Sequence, residues 1–233
     1  MALPLRHELK FYITRTQQEV LRRVLGSVLR LDPNAEKNGG SYHIRSLYFD
    51  TVFDDALYDK YSGVKDRDKY RMRIYNLSDR AIFMECKTKV GNLISKRSAK
   101  ISRDLAEQLI AADPSGLEST RSGLLRDVYR EMRTRLLHPV VIVDYEREAY
   151  IHPAEEVRIT LDMKVRTGLN SIDLFNPGVP TLPVLRHDET ILEVKYNRVL
   201  PPYLVSVLSY ACPEAVQSAV SKYTLCRQYE GKE

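Results

Sequence analysis

The chain has 233 residues, with 36 Lys+Arg against 31 Asp+Glu, a formal net charge of +5 and a sequence pI of about 9.0. At 43% hydrophobic residues it can bury a sizeable core, which excludes general disorder. No stretch approaches the roughly 18 to 20 apolar residues of a membrane span, and the mild positive balance favours an acidic partner without choosing one.

The start, Met1 to Lys10, has no apolar signal core and meets a charged strand at once, so no secretory signal is expected. Residues 6 to 13 alternate: Arg6, Glu8, Lys10 and Tyr12 share one face, and Leu9, Phe11 and Ile13 the other. Thr14 or Thr16 can cap a helix running to about Leu31, with Val20, Leu21, Val24, Leu25, Val28 and Leu29 as its apolar stripe. Asn38-Gly39-Gly40 breaks the chain before a strand from Tyr42 to Asp50.

Alternation returns at Lys69 to Asn76, where Arg71, Arg73 and Tyr75 oppose Tyr70, Met72 and Ile74. At Ile82 to Lys89 it sets Phe83, Glu85, Lys87 and Lys89 against Ile82, Met84 and Cys86. A turn near Gly91-Asn92 leads to a basic strand around Ser95 to Ile101. Helical spacing follows at Asp104 to Ala112 and Ser122 to Leu137, the latter with Leu125, Val128, Tyr129, Met132 and Leu136 at core positions.

Three further strands are expected. Val140 to Ala149 presents Tyr145 and Arg147 on one face. Val157 to Arg166 sets Arg158, Thr160, Asp162 and Lys164 against Val157, Ile159, Leu161 and Met163. Thr190 to Tyr196 sets Glu193 and Lys195 against Leu192, Val194 and Tyr196, and the chain from Pro201 onward reads as two short helices. The fold class is α+β: about eight antiparallel strands with helices between them and at the C-terminus. No repeat, low-complexity segment or linker divides residues 1–233, which read as one domain. Cys86, Cys212 and Cys226 are odd in number and far apart, which fits neither a disulfide framework nor a zinc site and points to a reducing, cytoplasmic setting.

The unusual feature is that strand after strand has one charged face. A solvated outer sheet face explains any one of them. Six in one chain favour a closed barrel whose interior holds the charges. Cations crowded in a partly dry space need water and an anionic guest, and each good Arg–phosphate contact contributes roughly 1.5 to 3 kcal/mol. No Gly-x-x-x-x-Gly-Lys or Gly-x-Gly-x-x-Gly loop is present, so phosphate binding would come from side chains. The carboxylates suit Mg²⁺ or Mn²⁺ held partly by phosphate oxygens. His7, His43, His138, His152 and His187 form no metal motif, and no Gly-x-Ser-x-Gly elbow occurs.

Eight segments together resemble the VTC domain, the polyphosphate polymerase domain of the vacuolar transporter chaperone complex, a triphosphate tunnel metalloenzyme. They are Arg6–Lys10, Ile44–Thr51, Lys69–Tyr75, Met84–Lys87, Tyr145–Arg147, Arg158–Asp162, Ile191–Tyr196 and Ser221–Tyr223, in order over nearly the whole chain. The resemblance implies an antiparallel tunnel and metal-dependent transfer of the ATP γ-phosphate onto a polyphosphate chain. It assigns Lys10, Arg71, Arg73, Lys87, Arg147 and Lys222 to the phosphates, with Tyr145 and Ser221 helping, and Glu193 to the metal, Mn²⁺ or Mg²⁺. Lys96 is the best match for a further basic residue, with Lys100 as its alternative; Arg158 and Lys195 join the phosphate-binding set. Glu8, Glu85 and Asp162 are weaker metal or positioning candidates.

Two departures stand out. The eukaryotic pattern has a Lys where this chain has Ala219, and these 233 residues hold no counterpart of the appended regulatory and membrane regions of the vacuolar complex, so any product is expected to stay on the side where it is made unless a membrane or transporter partner moves it. The expected ligands are ATP and inorganic polyphosphate or tripolyphosphate. Two other readings stay open in the same tunnel, a triphosphatase and a non-catalytic polyphosphate-binding module. A nucleic-acid binder is disfavoured, since no RNP-type motif or basic stripe is present.

Overall fold

The computed structural model describes residues 5–152 and 156–231; the first four residues of the start, where no secretory signal is expected, lie outside them. Strand β1 (Arg6–Thr14) runs straight into helix α1 (Arg15–Val28). Thr14 caps α1 by accepting from the Gln17 N–H, while the Gln17 side chain accepts from the Thr14 N–H. The helix ends three residues before the expected Leu31, because Leu29 is extended and Arg30–Leu31 form a short strand, β2, against Ile151 and Tyr150. Asp32-Pro33 then opens a short helix that the sequence reading missed, α2 (Pro33–Lys37), with Asp32 as its cap.

Next come β3 (Tyr42–Asp50), helix α3 (Asp55–Tyr61), which was also missed, β4 (Arg67–Tyr75), β5 (Ser78–Val90) and β6 (Leu93–Ile101). Helices α4 (Arg103–Ile110) and α5 (Gly123–Thr134) precede β7 (His138–Ile151) and β8 (Arg158–Thr167). Leu136 lies beyond the end of α5 at a positive φ of 52° and is exposed, so Leu137 takes the core place expected of it. A two-residue strand β9 (Leu182–Pro183), then β10 (Glu189–Tyr196), α6 (Pro202–Ala211) and α7 (Lys222–Tyr229) complete the chain, the last two being the expected short helices. Among the described residues no helix is long and apolar enough to cross a membrane, and the three cysteines are free and buried.

The strands pair antiparallel in the order β7-β3-β4-β5-β6-β1-β10-β8, and β8 returns to β7. That last pairing closes an eight-stranded barrel, with β2 and β9 as two-residue additions. Closure leaves alternate residues facing inward. The outward faces are the apolar ones. Met72, Ile74, Ile82, Met84 and Cys86 pack with Leu109 of α4 and Val128 of α5. Ile13, Leu161, Leu192 and Val194 pack with Leu21 and Leu25 of α1 and Leu204 of α6. Helices on the outside therefore satisfy the hydrophobic faces and leave the charged faces to the interior.

One alternation fails. Lys164 has φ of 51° and sits where the β7–β8 register shifts, so it leaves the face shared by Arg158, Thr160 and Asp162. It is exposed and pairs with Glu146 at 2.8 Å, and Val165 turns into the core in its place. One extra residue in the bulge reverses the parity of the strand end.

The interior has two zones. At one end, Ile44, Val141, Val143, Val165 and Ile191 pack with Val220, Tyr223 and Cys226 from the α7 segment. The rest of the interior is ionic. β1 and β6 pair only at Arg6–His7 with Leu93–Ile94, and beyond that point the seam opens. Residues 217–220 run along the opened edge of β1: Gln217 bridges Phe11, the Ser218 N–H donates to the Lys10 carbonyl at 2.8 Å, and Lys10 Nζ donates to the Val220 carbonyl at 3.0 Å.

Candidate functional site

The inward positions of seven strands and the start of α7 assemble two linked charge groups. In the first, Glu193 of β10 lies 2.8 Å from Lys222 Nζ, 3.0 Å from Lys195 and 3.6 Å from both Lys10 and Arg147. Lys10 and Lys195 also reach Glu8, at 3.7 and 3.4 Å, and Lys87 binds Glu8 at 2.6 Å. Lys222 and Arg147 in turn reach Asp162. In the second group, Glu85 of β5 meets Lys96 at 2.7 Å, Arg71 at 2.8 Å and Arg73 at 3.7 Å. Tyr145 joins the groups: its hydroxyl accepts from Arg73 at 2.9 Å, and its ring lies 5.0 Å from Lys222 Nζ and 5.3 Å from the Arg147 guanidinium carbon.

Most of the residues singled out from the sequence thus converge on one interior. Lys96 rather than Lys100 makes the contact with Glu85. Ser221 caps α7 and accepts from Lys69 at 3.2 Å. Arg158 stands apart from the network, donating to Asp32 at 2.6 Å and to the Tyr42 hydroxyl at 3.1 Å. Three interior residues were missed. Lys69 shares the parity of Arg71 and Arg73, Tyr48 accepts from Arg71 at 2.9 Å, and Thr160 stands opposite Glu193. Parity marks each for a face, but only closure shows that the face is inside.

The electrostatics separate fixed charges from unsettled ones. Burial alone would raise the Glu193 carboxyl, but Lys195, Lys222, Lys10 and Arg147 outweigh it and hold the group well below the ordinary carboxylate range. Glu8, Glu85 and Asp162 are held low in the same way. Burial would depress Lys222, yet Asp162 and Glu193 raise it above an ordinary lysine. The lysines on the wall made by β4, β5 and β6 behave oppositely. Lys69, Lys87 and Lys96 stand directly opposite one another on these three strands, and like charges so placed destabilise a sheet. Burial lowers Lys87 to about 7 despite Glu8, with Lys10 pushing the same way, and burial also lowers Lys69 and Lys96. This wall is short of negative charge, which an anionic guest would supply.

The carboxylates named as metal candidates are dispersed: Glu85 lies in one group, and Glu8 and Glu193 in the other. Among the described residues, no three His, Cys, Asp or Glu side chains gather as an ion site. Beside Glu193, however, the Thr160 hydroxyl is fully buried and has no hydrogen-bond partner among the described residues. A carboxylate and a free hydroxyl are hard oxygen donors, and Mg²⁺-type ions are commonly held by one or two carboxylates plus substrate phosphates. Glu193 and Thr160 fit an ion held in that way.

The family model for the VTC domain matches residues 5–229. No curated protein sequence matches the chain. Among solved structures, a protein of Pyrococcus horikoshii aligns over 96% of this chain and 99% of its own, at 14% identity and a TM-score of 0.51. A "putative adenylate cyclase" of Bacillus halodurans aligns over 95% of this chain and 96% of its own, at 13% identity and a TM-score of 0.51. At such identities the likeness lies in the fold.

Proposed function

The chain belongs to the VTC domain family, within the triphosphate tunnel metalloenzymes, and on that premise we propose that it is a metal-dependent polyphosphate polymerase. It would transfer the γ-phosphate of ATP onto a polyphosphate chain inside the barrel. The observation that carries this reading is the cation-rich interior itself. Lys10, Arg71, Arg73, Lys87, Lys96, Arg147, Lys195 and Lys222 enter it against Glu8, Glu85, Asp162 and Glu193.

Phosphoryl transfer asks a protein mainly for alignment and charge stabilisation, which side chains of this kind provide. Arg71 and Arg73 sit two residues apart on β4 and present their guanidinium groups on the same inward face, where both reach Glu85. Across the interior, Arg147 and Lys222 are held in place by Asp162. A nucleotide triphosphate lying between these walls would replace Glu85 as the partner of Arg71 and Arg73. Lys87 and Lys10 would orient the end of the acceptor chain, whose terminal phosphate oxygen attacks the γ-phosphorus as the bond to the β-phosphate oxygen breaks. Tyr145 would keep Arg73 aimed at the reacting phosphate. Glu193, with Thr160, would hold Mn²⁺ or Mg²⁺, whose chemistry is to offset negative charge on phosphate oxygens. A cytoplasmic location agrees with three unpaired cysteines.

The test is formation of acid-labile polymer from ATP with Mn²⁺ or Mg²⁺, by wild type and by Glu193→Gln. Polymer from the wild type and its loss in the variant support the reading. Cleavage of tripolyphosphate without polymer would instead make the protein a hydrolase, and salt-sensitive binding without turnover would make it a binding module.

A further inference from the structure

Lys69 is the interior cation that the paired network leaves out. It precedes Arg71 by two residues on β4, so it enters the same interior face, and Lys87 stands directly opposite. Its ammonium lies 3.2 Å from Ser221 Oγ and 4.8 Å from the centre of the Tyr223 ring, both at the start of α7. Among the described residues it forms no ion pair with a carboxylate, unlike Arg71 and Lys87 beside it. Burial acts on it most strongly, and the charged groups that follow are Arg67, Lys10, Lys87 and Lys60, all cations.

Ser221 adds a donor. Its oxygen already accepts from Lys69 and from the Thr224 N–H, so the hydroxyl proton is left for an outside acceptor. An ammonium without a counter-charge and a hydroxyl with an uncommitted proton therefore lie side by side, at the end of the ionic zone nearest α7. Along β4 the cations Lys69, Arg71 and Arg73 span five residues, about 13 Å from first to last. That exceeds the reach of the three phosphorus centres of a triphosphate.

We propose that Lys69 and Ser221, with Lys87 opposite, form a further phosphate subsite at the α7 end of the barrel, which binds a linear polyphosphate longer than a triphosphate. The subsite rests on the polyphosphate reading above and deepens it, because it sets the preferred ligand by chain length. A purely structural Lys69, serving only to pin Tyr223 and α7, would change stability and leave chain-length preference alone.

The experiment measures calorimetric binding of tripolyphosphate and of size-fractionated long-chain polyphosphate to wild type, Lys69→Met and Lys69→Arg, with melting curves for each. Lys69→Met is expected to weaken long-chain binding by about 10- to 100-fold, the value of one charge-assisted contact, and to leave tripolyphosphate essentially unchanged. Lys69→Arg keeps the charge and should retain the long-chain preference. Lys69→Gln replaces the Met variant if that one does not fold. Equal losses for both anions, or no loss for the long chain, overturn the subsite while the polyphosphate reading stands. Failure of the wild type to bind either anion overturns that reading and the subsite together.

Discussion

Arg147 and Asp162 face each other across β7 and β8, the pair that closes the barrel, through two contacts of 2.6 and 2.7 Å. The Asp162 side chain is 0% exposed, so neither charge has water to fall back on. Removing Asp162 leaves Arg147 and Lys222 to share Glu193, and breaking such a buried pair costs up to about 3–5 kcal/mol. Asp162→Asn should therefore lower the urea-unfolding free energy by about that amount. A loss below about 1 kcal/mol would mean that the closure does not depend on this pair.

Acid should unfold the protein through the same network. Glu8, Glu85, Asp162 and Glu193 are all held below their ordinary values of 4.5 or 3.8. The unfolded chain then takes up protons first as the pH falls, so stability is full above about pH 4.5 and declines below it. Each group contributes a slope of up to about 1.4 kcal/mol per pH unit. Urea midpoints at pH 7, 5 and 3.5 check this, and a midpoint unchanged at pH 3.5 would refute it.

Lys87 gives a pH dependence of the opposite kind. With its value lowered to about 7, the amine is largely neutral at pH 8.5 and must gain a proton to bind phosphate. Affinity for long-chain polyphosphate should fall as pH rises from 7 to 9, by up to about tenfold per unit. Because Lys87→Arg stays charged throughout, it should flatten that part of the profile and leave only the titration of the ligand. Parallel profiles for wild type and variant would show that Lys87 does not carry the effect.

Glu85 supplies a prediction whose sign decides its role. It neutralises Arg71, Arg73 and Lys96, so a phosphate must displace it. If neutralisation is its task, Glu85→Gln lowers the stability of the free protein yet tightens metal-free tripolyphosphate binding by about tenfold. If it holds a metal ion, the variant loses metal-dependent affinity instead. Calorimetry with a chelator and then with Mn²⁺ separates the two.

Much of this architecture was legible because strand parity is a local property. The alternation at Arg6–Ile13, Lys69–Asn76 and Ile82–Lys89 assigns Lys10, Arg71, Arg73, Glu85 and Lys87 to charged faces, and the strands form there. The helices α2 and α3 were illegible because each is short and lacks an apolar stripe of its own. Lys164 was misassigned because a single-residue bulge leaves no mark in a hydrophobicity pattern.

By itself, then, the order of residues determined which side chains share a strand face, since a two-residue period requires no partner. Tertiary structure alone decided that those faces look inward, because that depends on β8 returning to β7 and on outer helices covering the apolar side. It also decided which cations are matched. Lys222 comes to rest between Asp162 and Glu193, while Lys69, brought beside the same α7 segment, meets a hydroxyl and a ring and, among the described residues, pairs with no carboxylate. Pairing between charges distant in the chain is a matter of three-dimensional distance, which no local pattern encodes.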